Sequence, residues 1–102
     1  MLELRPNCEW CDKDLPPDAT DARIFSYECT FCTVCVETVL HDVCPNCGGG
    51  FAPRPIRPMT EWRPGVSLDR QPPSVQRVNL KWPRDEVAEF VARVSAVAPE
   101  TR

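Results

Sequence analysis

Apolar residues near the C-terminus recur with the period of a helix: Val87, Phe90, Val91, Val94 and Val97 stand at i, i+3, i+4, i+7 and i+10. The spacing predicts an amphipathic helix over residues 84–98. Pro83 suits its first position, Asp85 and Glu86 its positive end, and Pro99 its stop. Glu89 and Arg93 stand one turn apart and can pair on the polar side. A helix this short is marginal alone, so its valine–phenylalanine stripe needs a surface to cover it, within this chain, across a dimer or on a partner. Earlier, Val36, Val39, Leu40 and Val43 repeat the helical spacing, with Glu37 and Asp42 able to face water. Between these segments the pattern changes. Residues 53–83 hold seven of the twelve prolines, which fix φ and remove donors, so an extended arm with turns such as Arg63-Pro64-Gly65 is predicted. Trp62, Val66, Leu68, Val75, Val78, Leu80 and Trp82 are interspersed in it, which a plain spacer does not need. The arm is expected to wrap the head of the chain or to dock a partner.

Composition changes the picture for residues 1–52. A chain of 102 residues has room for one domain with a tail, and domains this small often need a covalent or metal staple. All seven cysteines lie between Cys8 and Cys47. The sequence opens without a basic start and apolar run, and no stretch approaches the roughly 20 apolar residues of a membrane span. A cytoplasmic location is therefore expected, where such cysteines bind metal rather than form disulfides, and the odd number also fits bridging badly.

The spacing is Cys8-x2-Cys11-x17-Cys29-x2-Cys32-x2-Cys35-x8-Cys44-x2-Cys47. A CxxC pair lets two sulfurs converge on one ion, and tetrahedral zinc takes two such pairs. The run after Cys35 places Cys32 and Cys35 at a helix N-terminus, where the dipole favours thiolates. A knuckle, a hairpin and then helix-borne ligands make a small metal-stabilised α+β head of treble-clef type. Cys29-Thr30-Phe31-Cys32-Thr33-Val34-Cys35 with the later Cys44-Pro45-Asn46-Cys47 resembles half of a RING-type cross-brace. In that pattern Cys8, Cys11, Cys32 and Cys35 form one zinc site, and Cys29, Cys44 and Cys47 begin a second. Tyr27 stands where a RING has a further cysteine, so the second site is one ligand short. His41, three residues before Cys44, is the candidate to complete it; water, Asp42, a single-zinc protein or a free Cys29 thiol are the alternatives. Two Zn²⁺ are expected, or one if the second site fails.

Charge divides the chain as well. Residues 1–52 carry a formal −6 and residues 53–102 a formal +3. An acidic head is a poor match for a phosphate backbone, so nucleic-acid binding through the arm's arginines is a minor alternative and another protein is the expected partner. No redox CxxC in a βαβ context is visible, and a catalytic zinc would need a nearby acid or base beside an open position, so no enzyme activity is expected. Asp12, Asp14, Asp18 and Asp21 read as solvated loop charges.

Met1-Leu-Glu-Leu-Arg-Pro-Asn-Cys8, Asp14-Leu-Pro-Pro17, Glu28-Cys-Thr-Phe-Cys32 and Cys44-Pro-Asn-Cys-Gly-Gly49 together resemble a short cysteine-rich bacterial family, the domain of unknown function 1272. The likeness covers residues 1 to about 58 and implies metal binding in a bacterial cytoplasm. It brings no activity. Members often have a cysteine where this chain has Phe25, which bears on the second site. The expectation is a zinc-binding interaction or regulatory module, with a metal- or redox-responsive sensor using a labile second site as the alternative.

Overall fold

Two short β-prone runs start the architecture. Ala22–Ile24 (β1) pairs antiparallel with Thr30–Cys32 (β2), register Ala22 to Cys32, across a turn in which Glu28 takes φ 75°. Ala52–Pro53 (β3) adds to the other side of β1, so the sheet order is β2-β1-β3. This computed structural model describes residues 1–102. Proline at Pro53 is tolerated because β3 is an edge strand.

β2 runs directly into a helical segment. One α turn, Thr33–Cys35 (α1), continues as a π-helical turn over Val36–Leu40. Val36, Leu40 and Val43 are buried as their spacing predicts, while Glu37 stays exposed. His41 and Asp42 then take left-handed backbone, with φ 48° and 61°, and stop the helix. The Asp42 carboxylate accepts from the Phe51 N–H at 2.9 Å, which aims the chain back toward β3. Phe31, fully buried on β2, meets Phe51 edge-on with centroids 5.4 Å apart, and Leu15, Leu40 and Val43 complete the centre of the core.

The extended arm lies on the head. Asn7 grips it from both ends of its amide: Nδ2 donates to the Val78 carbonyl at 2.9 Å and Oδ1 accepts from the Val78 N–H at 3.1 Å. Ser74 N–H donates to the Leu4 carbonyl, and Leu80 N–H to the Glu9 carbonyl. The opposed charges of the two halves meet here, because Arg77 reaches both Asp12 and Asp14 at 2.9 and 2.7 Å. Those two aspartates hold the arm while remaining exposed, as solvated loop charges do.

Residues 57–71, within the arm, form a stapled loop. Arg57 donates to the Gln71 and Leu2 carbonyls, Leu68 N–H donates to the Pro58 carbonyl, and Gln71 Nε2 donates to the Gly65 carbonyl. Gly65, at φ 85°, makes the turn that a side chain would strain.

Arg84–Val94 (α2) packs Val87 and Val91 into the core. Its start is pinned by Arg84, which stacks 4.6 Å over the Trp10 ring and donates to the Trp10 carbonyl. Arg93 lies over the Phe90 ring rather than pairing with Glu89. The helix ends at Val94, earlier than residue 98, and Val97 is left exposed. Pro99 holds Ala98 in extended backbone (ψ 139°), which bars helix at residue 98, and residues 95–97 form a turn and bend before it. No helix is long and apolar enough to cross a membrane.

Candidate metal centre

The first knuckle is built by backbone geometry. Cys8 N–H donates to the Lys13 carbonyl, Asp12 N–H donates to the Cys8 carbonyl, and Asp12 adopts φ 63° to close the loop. Glu9 N–H donates to the Thr30 carbonyl on β2, so this knuckle is fixed against the strand that leads to Cys32. Cys32 stands at the N-cap position of α1, in extended backbone, and Cys35 ends that turn.

These elements bring four sulfurs together. The Sγ atoms of Cys8, Cys11, Cys32 and Cys35 all lie within 4.8 Å of one another. Cys11 and Cys32 are 3.8 Å apart. That is the edge, near about 3.8 Å, of a tetrahedron with metal–sulfur bonds of about 2.3 Å. All seven cysteines are free thiols, and Cys11 alone of this quartet is exposed. Burial pushes the Cys8 thiol up to about 11 and Cys35 far above the ordinary thiol range. At Cys11 burial raises the value, but the Lys13 backbone N–H and the neighbouring thiols outweigh it and hold it below the usual range. A cluster of this kind can hold a metal ion by exchanging its protons for the cation.

The other predicted ligands are arranged differently. No second set of three or more cysteine, histidine or carboxylate side chains converges as closely. His41 is exposed beside Arg23, Glu37 and Asp42 at the end of the helical segment. Cys44 is buried and Cys47 exposed, on a knuckle in which the Cys44 N–H donates to the Gly49 carbonyl and Gly48 takes φ 81°. Phe90 and Val94 of α2 pack against that knuckle, each 3.6 Å from where a Gly48 Cβ would stand. Cys29 is half-buried, with Asn46 Nδ2 at 3.3 Å and Arg5 Nη1 at 3.7 Å from its sulfur. Burial and then the Glu9 carboxylate push its thiol up to about 11.

Two residues at this site carried no sequence signal. Glu9 lies inside the first knuckle, yet it is buried and its carboxylate turns toward Cys29 and Asn46. Asn46 lies inside the last knuckle and accepts from Trp82 Nε1 at 2.9 Å. Neither belongs to a metal-ligand motif.

Residues 1–57, with all seven cysteines, match the family described as a protein of unknown function, DUF1272. The chain belongs to this family. It is also similar to an uncharacterized protein of Rhizobium meliloti (strain 1021), 54% identical over 78 residues, 76% of this chain and 86% of that protein. No solved structure matches the chain. The family segment ends at residue 57, so the loop after Arg57, the arm residues that meet Asn7, and α2 lie beyond it.

Proposed function

We propose that the chain is a zinc-held scaffold, a non-enzymatic protein–protein interaction module of the bacterial cytoplasm. The observation that carries this reading is the convergence of Cys8, Cys11, Cys32 and Cys35. Four thiolates fill a tetrahedron and leave no position for water or substrate, which favours a structural ion over a catalytic one. Zinc suits an all-sulfur tetrahedral set. The order of knuckle, β1–β2 hairpin and ligands at a helix start supports a treble-clef, RING-like head.

The interaction half of the reading rests on the stapled loop. It presents Trp62, 79% exposed, and Met59, 75% exposed, on a backbone already tied at its base. An aromatic anchor on an ordered loop avoids much of the entropy cost of binding. The arm's arginines are less available to a nucleic acid, since Arg54, Arg57 and Arg77 are engaged by the protein's own carbonyl and carboxylate oxygens.

Trp62→Ala tests the interaction. The variant is expected to keep the thermal transition and metal content of the parent, because Trp62 is not in the core. It is expected to lose partners that the intact chain retains after cross-linking in cells and affinity purification. Identical recovered partners from both proteins would remove the loop from the account.

A further inference from the structure

We propose that Glu9 completes a second, weaker zinc site with Cys29, Cys44 and Cys47, in place of His41. This inference rests on the reading of the head as zinc-held. Its motive is a buried carboxylate held only by long contacts, Arg5 Nη1 at 3.4 Å from one oxygen and Asn46 Nδ2 at 3.4 Å from the other. The Glu9 side chain is 1% exposed, and its nearest cationic group is Arg5 Nη1 at 3.4 Å, a long contact for a charged pair. A buried carboxylate needs more than that.

A sulfur and a carboxylate oxygen here share one amide nitrogen. Asn46 Nδ2 stands 3.3 Å from Cys29 Sγ and 3.4 Å from Glu9 Oε1, so one nitrogen fills the space between a sulfur and a carboxylate oxygen. Asn46 lies between Cys44 and Cys47, so its contacts with Cys29 and Glu9 set that knuckle beside them. Three sulfurs and one carboxylate oxygen are a donor set that zinc accepts. A cation there displaces the Asn46 amide, neutralises Glu9 and leaves Arg5 Nη1, now 3.7 Å from Cys29, to donate to the bound thiolate. His41, in contrast, is exposed beside Arg23 and Glu37, among side chains that include none of these cysteines. The site is weaker than the first because its ligands have not converged and Asn46, tied to Trp82, must move.

Cobalt(II) and zinc(II) titration of the intact chain, in competition with a chromophoric chelator, separates the two sites. The wild type is expected to bind two ions, the first with the absorption of a four-thiolate site and the second at least about 10-fold more weakly. Glu9→Gln is expected to weaken only the second ion, by at least the roughly 10–100-fold that loss of even an outer-shell partner costs. Cys47→Ser, at an exposed position, is expected to abolish it, and His41→Ala to leave both unchanged. The four-thiolate absorption of the first ion reports that each variant is folded. A single ion in the wild type, an undiminished second ion in Glu9→Gln, or its loss in His41→Ala would overturn the proposal. Absence of the first ion would instead overturn the zinc-held head.

Discussion

Removal of the metal by a strong chelator is expected to unfold residues 1–52 rather than loosen them. A structural zinc site contributes on the order of 10–16 kcal/mol to folding in small modules. An ordinary domain has only about 5–15 kcal/mol in total. The apolar core here cannot replace that contribution. It consists of a few side chains around Phe31, several of the buried residues are the cysteines themselves, and the three strands have only two or three residues each. Without the ion, the Cys8–Cys11 knuckle loses its tie to Cys32 and Cys35, and the arm loses the surface that Asn7 and Asp12 present to it. Amide dispersion in a proton–nitrogen NMR spectrum should collapse on chelation and return with zinc. Reloading should also release protons, because a cysteine thiol of the unfolded chain, with an ordinary value of about 8.5, is mostly protonated at neutral pH and binds the ion as a thiolate. A chelated protein with an unchanged spectrum and a cooperative thermal transition would contradict the account.

Arg54→Ala is expected to be the most damaging substitution away from the cysteines. Arg54 is only 4% exposed, and its guanidinium donates to the carbonyls of Arg5, Leu15 and Pro16 at 2.8, 3.5 and 2.9 Å. It thereby joins the chain leaving β3 to both sides of the Cys8–Cys11 knuckle. Its own N–H pairs it with the Ala22 carbonyl at 3.0 Å, extending the β1–β3 edge by one step. Hydrogen bonds from a charged donor are worth about 1.5–3 kcal/mol each, and a carbonyl left buried and unpaired costs about 1–3 kcal/mol. The loss should reach ~3 kcal/mol, a fall of roughly 12 °C or more in the midpoint for a domain of this size. Arg54→Met, which keeps the apolar stem and discards the donors, should recover little of it. A loss below about 1 kcal/mol in the alanine variant, measured by thermal and denaturant unfolding of the zinc-loaded protein, would show that the three carbonyls find other partners.

The contrast between those two predictions explains what the sequence made legible. The Cys8, Cys11, Cys32 and Cys35 cluster could be read because metal geometry imposes a local spacing, two sulfurs per tight turn, that survives in one dimension. The stripe on α2 could be read for the same reason, since Val87 and Val91 repeat at the period of the helix. Arg54, Asn7 and Glu9 obey no period. Each is a polar residue whose burial depends on partners that lie far along the chain, Arg5 for Arg54 and Val78 for Asn7. A buried arginine among prolines looks like a solvated one until the fold closes around it. Asp12 and Asp14 show the same limit from the other side. They are exposed, as solvated loop charges are, and what the sequence did not show is that Arg77, more than 60 residues on, pairs with them.

The early end of α2 has a local cause that outweighed periodicity. Val97 continues the apolar stripe, but the steric demand of Pro99 bars Ala98 from the helix, and the last turn before it is not helical. His41 is the comparable case at the metal centre. Proximity in sequence to Cys44 made it a candidate ligand, and a left-handed turn at φ 48° carries it to the exposed end of the helical segment. Glu9, one residue from Cys8, is the side chain that the fold sends toward Cys29.

Zinc-edge X-ray absorption on the Cys47→Ser protein loaded with one zinc per chain tests the central claim most directly. With the second knuckle disabled, the ion is predicted to have four sulfur neighbours at about 2.3 Å and no nitrogen or oxygen neighbour. Three or fewer sulfurs, or a nitrogen or oxygen in the first coordination sphere, would contradict a closed site made by Cys8, Cys11, Cys32 and Cys35.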